Sequence, residues 1–299
     1  YNTVGGVLWQ YGKREAAADY VRKSLGAYHK IGYLLGKANA HTNLGILHYA
    51  QGQWRESAAS FEKSDFIRRE TGCMIGRAGN LHNLGMLRMA LGDHDGAKND
   101  LETALRVSRQ LGEPLDILRS LLALAHVAIL QLRFSDATKL LDVIATEHAS
   151  KLLPIDLAQV GWLTALIVAH RQSPAEGIAV ACDAVSMARE SGAADVEVDC
   201  MRVLGILYAR DGRYDDAKAT LQSSVDLAGK MNDPYRRALT LVELGRLPNV
   251  GERRALIDEA ANHFAELGAS FDLDRALSAE SDSRAARSGP PDVKGRATL

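Results

Sequence analysis

The chain has 299 residues, 46% of them apolar and 24% charged, with 36 basic against 37 acidic side chains. That near-neutral balance gives no electrostatic reason to expect a nucleic-acid backbone or an anionic membrane as partner, and no apolar run approaches the roughly 20 residues that span a bilayer. The chain does not open on a signal-like segment, and its three scattered cysteines, Cys73, Cys182 and Cys200, fit thiols in a reducing compartment, so a cytoplasmic location is expected.

Self-similarity at a step of 40 residues organises everything else. Gly5 recurs as Gly45, Gly85, Ala125, Ala165, Gly205 and Gly245. Seven residues further on lie Gly12, Gly52, Gly92, Leu132, Gln172 and Gly212, and twelve further on lie Ala17, Ser57, Ala97, Ala137, Gly177 and Ala217. A fourth series is Gly32, Gly72, Gly112, Leu152, Gly192 and Asn232. Small residues in the first and third series let two antiparallel helices approach closely. The second series sits in the turn between them, and the fourth closes the second helix with a left-handed cap.

Taken in chain order, the first copy, about 1–33, opens inside a helix that the register would start near position −6, so the beginning of that helix is expected to be missing. Copies follow at 34–73, 74–113, 114–153, 154–193, 194–233 and 234–268, with no insertion or deletion until the last. Their helix pairs are predicted at 34–50 and 54–71, 74–91 and 94–111, 114–131 and 134–150, 154–171 and 174–191, 194–210 and 214–231, and 234–247 and 252–267. Pro114, Pro154 and Pro234 keep the same step and each opens a first helix, where a missing N–H costs nothing. Asp233 reads as an N-cap, and Ser173 with Glu176 as a capping box. The seventh copy is altered around Pro248 to Gly251, a last helix at 270–282 would cap the open end, and 283–299, rich in Ser, Arg, Gly and Pro, reads as a disordered tail. The expected fold is all-α: a single domain over 1–282, a right-handed superhelical solenoid of about seven helix hairpins with a C-terminal capping helix.

Those residues carry a family resemblance. The stretch from Thr42 to Gly72 resembles the tetratricopeptide repeat, whose small eighth residue, turn glycine, ring residue opening the second helix and small back-packing residue appear as Gly45, Gly52, Trp54 and Ser57. They return as Gly85, Gly92, His94 and Ala97, and as Gly205, Gly212, Tyr214 and Ala217. The resemblance runs from about Asn2 to Gly268 and is weaker in the fourth and fifth copies, where Ala125, Leu132, Ala165 and Gln172 replace the glycines. The 40-residue length is similar to the long-repeat branch found in bacterial signal-transduction ATPase regulators and kinesin light chain-like adaptors. It implies a non-catalytic scaffold or sensor, part of a larger regulatory protein, that captures a protein or peptide ligand in a concave groove. The alternatives are a small-molecule effector domain gating an attached ATPase or transcription-regulator unit, and a self-association module.

In such a solenoid the first helices line the concave wall. Their faces turned away from the packed leucines supply the expected ligand-binding residues: Asn39, Thr42 and Asn43, then His82, Asn83 and Met86, then Arg119 and His126, then Gln159, Trp162 and Leu166, then Arg202. Asn43 and Asn83 resemble the groove asparagines of the family, which clamp a ligand backbone by paired donor and acceptor. Arg119 suits a carboxylate. Trp162 with Leu163 and Leu166 suits an apolar pocket, or fills a wide gap between repeats. No HExxH, CxxC or phosphate-cradling glycine loop occurs, so no metal, no cofactor and no catalytic residue is expected. The basic pairs Arg68–Arg69 and Arg253–Arg254 read as solvated faces.

Overall fold

The computed structural model describes residues 1–10 and 14–278. Gly12, the end of the expected cap and the expected tail lie outside the described residues. Among those described there is no strand, and no helix is long and apolar enough to cross a membrane.

The chain is a succession of helix hairpins: α1 (Asn2–Gln10) and α2 (Arg14–Lys30), α3 (Leu34–Ala50) and α4 (Trp54–Glu70), α5 (Arg77–Ala90) and α6 (His94–Leu111), α7 (Pro114–Leu130) and α8 (Phe134–Glu147). Then follow α9 (Pro154–Arg171) and α10 (Pro174–Glu190), α11 (Ala194–Arg210) and α12 (Tyr214–Lys230), α13 (Pro234–Gly245) and α14 (Arg253–Leu267), and a further helix, α15, over 270–278. The expected boundaries hold to within a residue or two, with two exceptions discussed below.

Helix starts follow from the residues placed there. Proline opens α7, α9, α10 and α13. Asp93, Ser173 and Asp233 each accept a hydrogen bond from a first-turn backbone N–H, Gly96 (2.9 Å), Glu176 (3.3 Å) and Arg236 (3.0 Å), which satisfies a donor the helix cannot. The cap expected at Asp233 is present; of the box expected at Ser173 only the side-chain cap forms, since the Glu176 carboxylate accepts from the Ser173 hydroxyl (3.4 Å) and not from its backbone N–H. The inner stripe of α6 (Ala97, Leu101, Ala104, Val107 and Ser108) recurs every three or four residues and is buried throughout.

The small-residue series has the packing role the spacing implies. A Cβ on Gly45 would stand 2.6 Å from the Phe61 ring, on Gly85 2.7 Å from Leu101 Cγ, and on Gly205 2.5 Å from Leu221 Cγ. Each glycine is thus a notch for one large side chain of the partner helix, and full burial of such a side chain contributes about 1.5–3 kcal/mol. From the other helix of the hairpin, Ser57 Oγ donates to the Gly45 carbonyl at 2.7 Å.

Two elements depart from the forty-step. α5 starts at Arg77, not 74, because Gly76 adopts φ +70 and ends an extra turn over 73–76. α8 stops at Glu147 and the chain leaves through a 3-10 turn, Ala149–Lys151. Leu152, at the place where other copies carry Gly or Asn, is extended rather than left-handed (φ −70, ψ 127). Leu132 and Asn232, by contrast, do take positive φ (58° and 53°) where glycine stands elsewhere in their series.

The chain divides into two compact units, residues 1–123 and 124–299, with the division inside α7. In the first, Ala17, Ala18, Val21, Ala40, Leu44 and Leu47 form a core that ties α2 to α3. In the second, α11 packs against α9 and α13 as well as against its own partner α12. There α15 is tied to α13 by Tyr235, whose hydroxyl donates to Asp272 at 2.9 Å, and by Arg275, 3.0 Å from Glu243.

Candidate functional site

The expected ligand-binding residues fall into two groups. Asn39, Thr42, Asn43, His82, Asn83, Met86 and Arg119 belong to the first unit, and His126, Gln159, Trp162, Leu166 and Arg202 to the second. In the first unit α3 and α5 are equivalent helices of successive repeats, so Asn43 and Asn83 hold the same repeat position. Asn39, Thr42, Asn43 and Asn83 line one pocket of about 390 Å3, together with Arg68, Gly76, Gly79 and Asn80.

A hydrogen-bond bracket shapes this pocket. Thr42 gives its one hydroxyl proton to Asn80 Oδ1 (3.0 Å), which leaves it to accept from Ser64 Oγ (2.8 Å). Asn80, 1% exposed, also donates from Nδ2 to the Phe61 carbonyl at 2.9 Å. Arg68, 5% exposed, donates from Nη2 to Asn39 Oδ1 (2.6 Å), from Nη1 to the Ile75 carbonyl, and from Nε to Ser64 Oγ (3.4 Å). Side chains of α3, α4 and α5 and the 73–76 turn are thereby fixed to one another. The half-buried Asn83 side chain makes no hydrogen bond among the described residues and lines the same pocket.

The neighbouring histidine is held neutral. Burial, and after it the positive charge of Arg119, pushes His82 down to about 4, and its Nδ1 is buried without a hydrogen-bond partner. Arg119 itself is largely exposed and lies 3.9 Å from Asp116. Met86 is half-buried on α5.

In the second unit Trp162 (7% exposed) and Leu166 (8%) are buried, as is Leu163, so they pack the unit rather than wall an apolar pocket open to solvent. The Trp162 ring meets His126 edge-on at 4.8 Å. Arg202 lies 3.7 Å from Asp199, which Arg236 approaches at 3.0 Å. Although burial opposes it, Arg236, Arg202 and His126 hold the Asp199 carboxyl below its ordinary range. Gln159 is half-buried on α9. Another concavity, about 380 Å3 beside Glu102, Leu105, Arg106, Arg109 and Gln110, has only α6 for a wall.

Arg68, Asn80, Gly76 and Gly79 are the pocket residues that sequence reasoning missed. Arg68, read as part of a solvated basic pair, is instead buried. Arg253, of the other pair, is turned onto the end of α13, where its guanidinium donates to the carbonyls of Gly245 (2.7 Å), Arg246 (3.2 Å) and Leu247 (3.2 Å). The available signal was Gly76, a glycine outside the four small-residue series.

Residues 78–111, nearly all of the α5–α6 hairpin, match the family model described as a tetratricopeptide repeat. The fold is that of tetratricopeptide-like helical repeat proteins. Comparison with curated protein sequences finds no match. Among solved structures the chain is similar to the apo form of the quorum sensor NprR from B. thuringiensis, at 16% identity and TM-score 0.61, covering 94% of this chain and 86% of that one. It is also similar to NprR in complex with its cognate peptide NprX (15% identity, TM-score 0.65, 94% and 86% covered). A Rap protein complexed with competence and sporulation factor is similar at 14% identity and TM-score 0.61, covering 84% and 76%. At identities this low the structural likeness shows the fold alone.

Proposed function

We propose that this chain is a peptide-binding scaffold or sensor, the regulatory part of a larger protein, and that its first unit holds an extended peptide across α3 and α5. One observation carries the reading: asparagines at the same position of two successive repeats, Asn43 and Asn83, line a single pocket whose walls are fixed by a buried hydrogen-bond bracket. A primary amide offers one acceptor and two donors on a short side chain, which is what a peptide backbone requires of its partner. Repetition of that amide at a helical-repeat spacing lets one extended strand be held at more than one point. Two of the similar structures, NprR with NprX and Rap with its factor, were solved as complexes, and this supports the reading. The protein acts by binding, and the chemistry is left to whatever it is attached to.

The test uses the full chain, immobilised and exposed to a pool of randomised hexapeptides, with hydrogen–deuterium exchange on the retained complexes. Retained peptides should slow exchange in α3 and α5. The double variant Asn43→Ala, Asn83→Ala should bind about thirtyfold more weakly, the loss of roughly two hydrogen bonds of about 1 kcal/mol each. An empty column, or protection confined to other helices, would overturn the proposal.

A further inference from the structure

Arg68 is a buried cation without a counter-ion. Among the described residues no carboxylate pairs with it; the nearby Asp65 is taken by Arg77 at 2.7 Å. Its three hydrogen bonds go to a carbonyl, an amide oxygen and a hydroxyl, all neutral. A guanidinium has five N–H donors, so two remain. A buried charge left in this state is costly unless an anion completes it.

The surroundings leave room for that anion. At Gly76 the left-handed backbone excludes most side chains, and a Cβ there would stand 3.2 Å from both Nη1 and Nη2 of Arg68, covering the guanidinium. At Gly79 a Cβ would meet nothing within 4 Å. Gly79 lies in the first turn of α5, which no side chain caps, so the positive end of that helix faces the same pocket as the arginine. Two absent side chains, an unneutralised guanidinium and an uncapped helix start therefore converge on one cavity.

We infer that this pocket is a carboxylate subsite, taking an Asp or Glu side chain or the free C terminus of the bound peptide. One uncompensated positive charge and two spare N–H groups match the single charge and two oxygens of a carboxylate, whereas a phosphate brings more of both. The source of the carboxylate rests on the peptide reading above; the anion preference of the pocket does not.

The experiment compares the full-length Gly79→Glu and Gly79→Gln variants with the wild type. Glutamate at 79 tethers a carboxylate where the ligand's would sit, in open space that leaves folding intact. Gly79→Glu should melt several degrees above Gly79→Gln, and the gap should persist in about 0.5 M sodium chloride, as it does for a pair shielded from solvent. Equal melting, or a gap erased by salt as for an exposed charge at a helix end, overturns the inference. In the hexapeptide pool the wild type should enrich acidic residues about tenfold, the worth of one charge-assisted hydrogen bond. Gly79→Glu should lose that enrichment and Gly79→Gln keep it. A second pool with amidated C termini separates the sources: enrichment that disappears on amidation assigns the terminus, and enrichment that survives assigns a side chain. Peptides retained without acidic or terminal preference also overturn the inference. The variants' melting gap without any retained peptide upholds the anion site and discards the peptide reading.

Discussion

A side chain at Gly85 has nowhere to go: a Cβ there would lie 2.7 Å from Leu101 Cγ and 3.2 Å from the Ala97 carbonyl oxygen. Leu101 is fully buried and cannot move aside. Gly85→Leu should therefore lower stability by about 3 kcal/mol or more through overpacking, read as a fall in melting temperature. Gly26, inside α2 with nothing within 4 Å of its would-be Cβ, provides the control, since Gly26→Ala should be neutral or gain up to about 1 kcal/mol of helix propensity. His82 gives a prediction in pH. Its folded pKa of about 4 lies below the ordinary 6.5, so the unfolded chain takes up a proton that the native protein excludes. The stability this group contributes is complete above pH 6.5 and is lost as pH falls from there through 4, by about 3 kcal/mol at most. Asp100 runs the other way. Burial first, and then Asp65, Glu62 and Asp93, push it up to about 6 despite Arg88, so acidification through that range favours the native state. The informative quantity is the difference between wild type and His82→Leu in urea melts from pH 7 to 4. The wild type's stability minus that of His82→Leu should fall as pH falls, and a constant difference would show that His82 does not carry the slope.

Helix ends test the same physics one level up. Arg253 and Arg254 are adjacent and chemically identical, yet only Arg253 reaches back over the end of α13 to satisfy three carbonyls. Arg254 is 74% exposed and lies 3.6 Å from Asp258 one turn on. Arg253→Ala should cost about 1–3 kcal/mol, because it removes charged hydrogen bonds from partly buried acceptors. Arg254→Ala should stay within about 0.5 kcal/mol, and thermal melts of the two variants separate the cases. The contrast also shows where the sequence stops being legible. Helix starts could be read because Pro114, Pro154, Ser173 and Asp233 act within one turn of themselves. The late start of α5 could not, because it depends on Arg68 in the preceding helix, whose guanidinium donates to Ile75 and lies 3.2 Å from where a side chain at Gly76 would begin. Leu132 and Leu152 make the same point. Both replace a glycine of their series, but one adopts the left-handed backbone and the other stays extended.

Across the whole chain, the all-helical fold and the hairpin order were legible because one stride sets packing, turns and caps together. The candidate site was legible in half. Asn43 and Asn83 share a repeat position and so stand out, whereas Arg68 beside Arg69 has the pattern of a solvated pair and declares itself only by its burial. Trp162 could be located but not assigned, since a large ring on a first helix reads alike whether it walls a pocket or fills a core. The division between residues 123 and 124 leaves no mark on the period. The stride itself has a consequence for how such a chain can lengthen or shorten. One residue added inside α11 would turn the rest of that helix by about 100°, carrying fully buried Leu207 off its packing face. Duplication or loss of an entire hairpin keeps every face where it was. Smaller edits can survive only where the interval is already broken, as between α13 and α15, whose start at 270 comes four residues ahead of the step that would place it at 274.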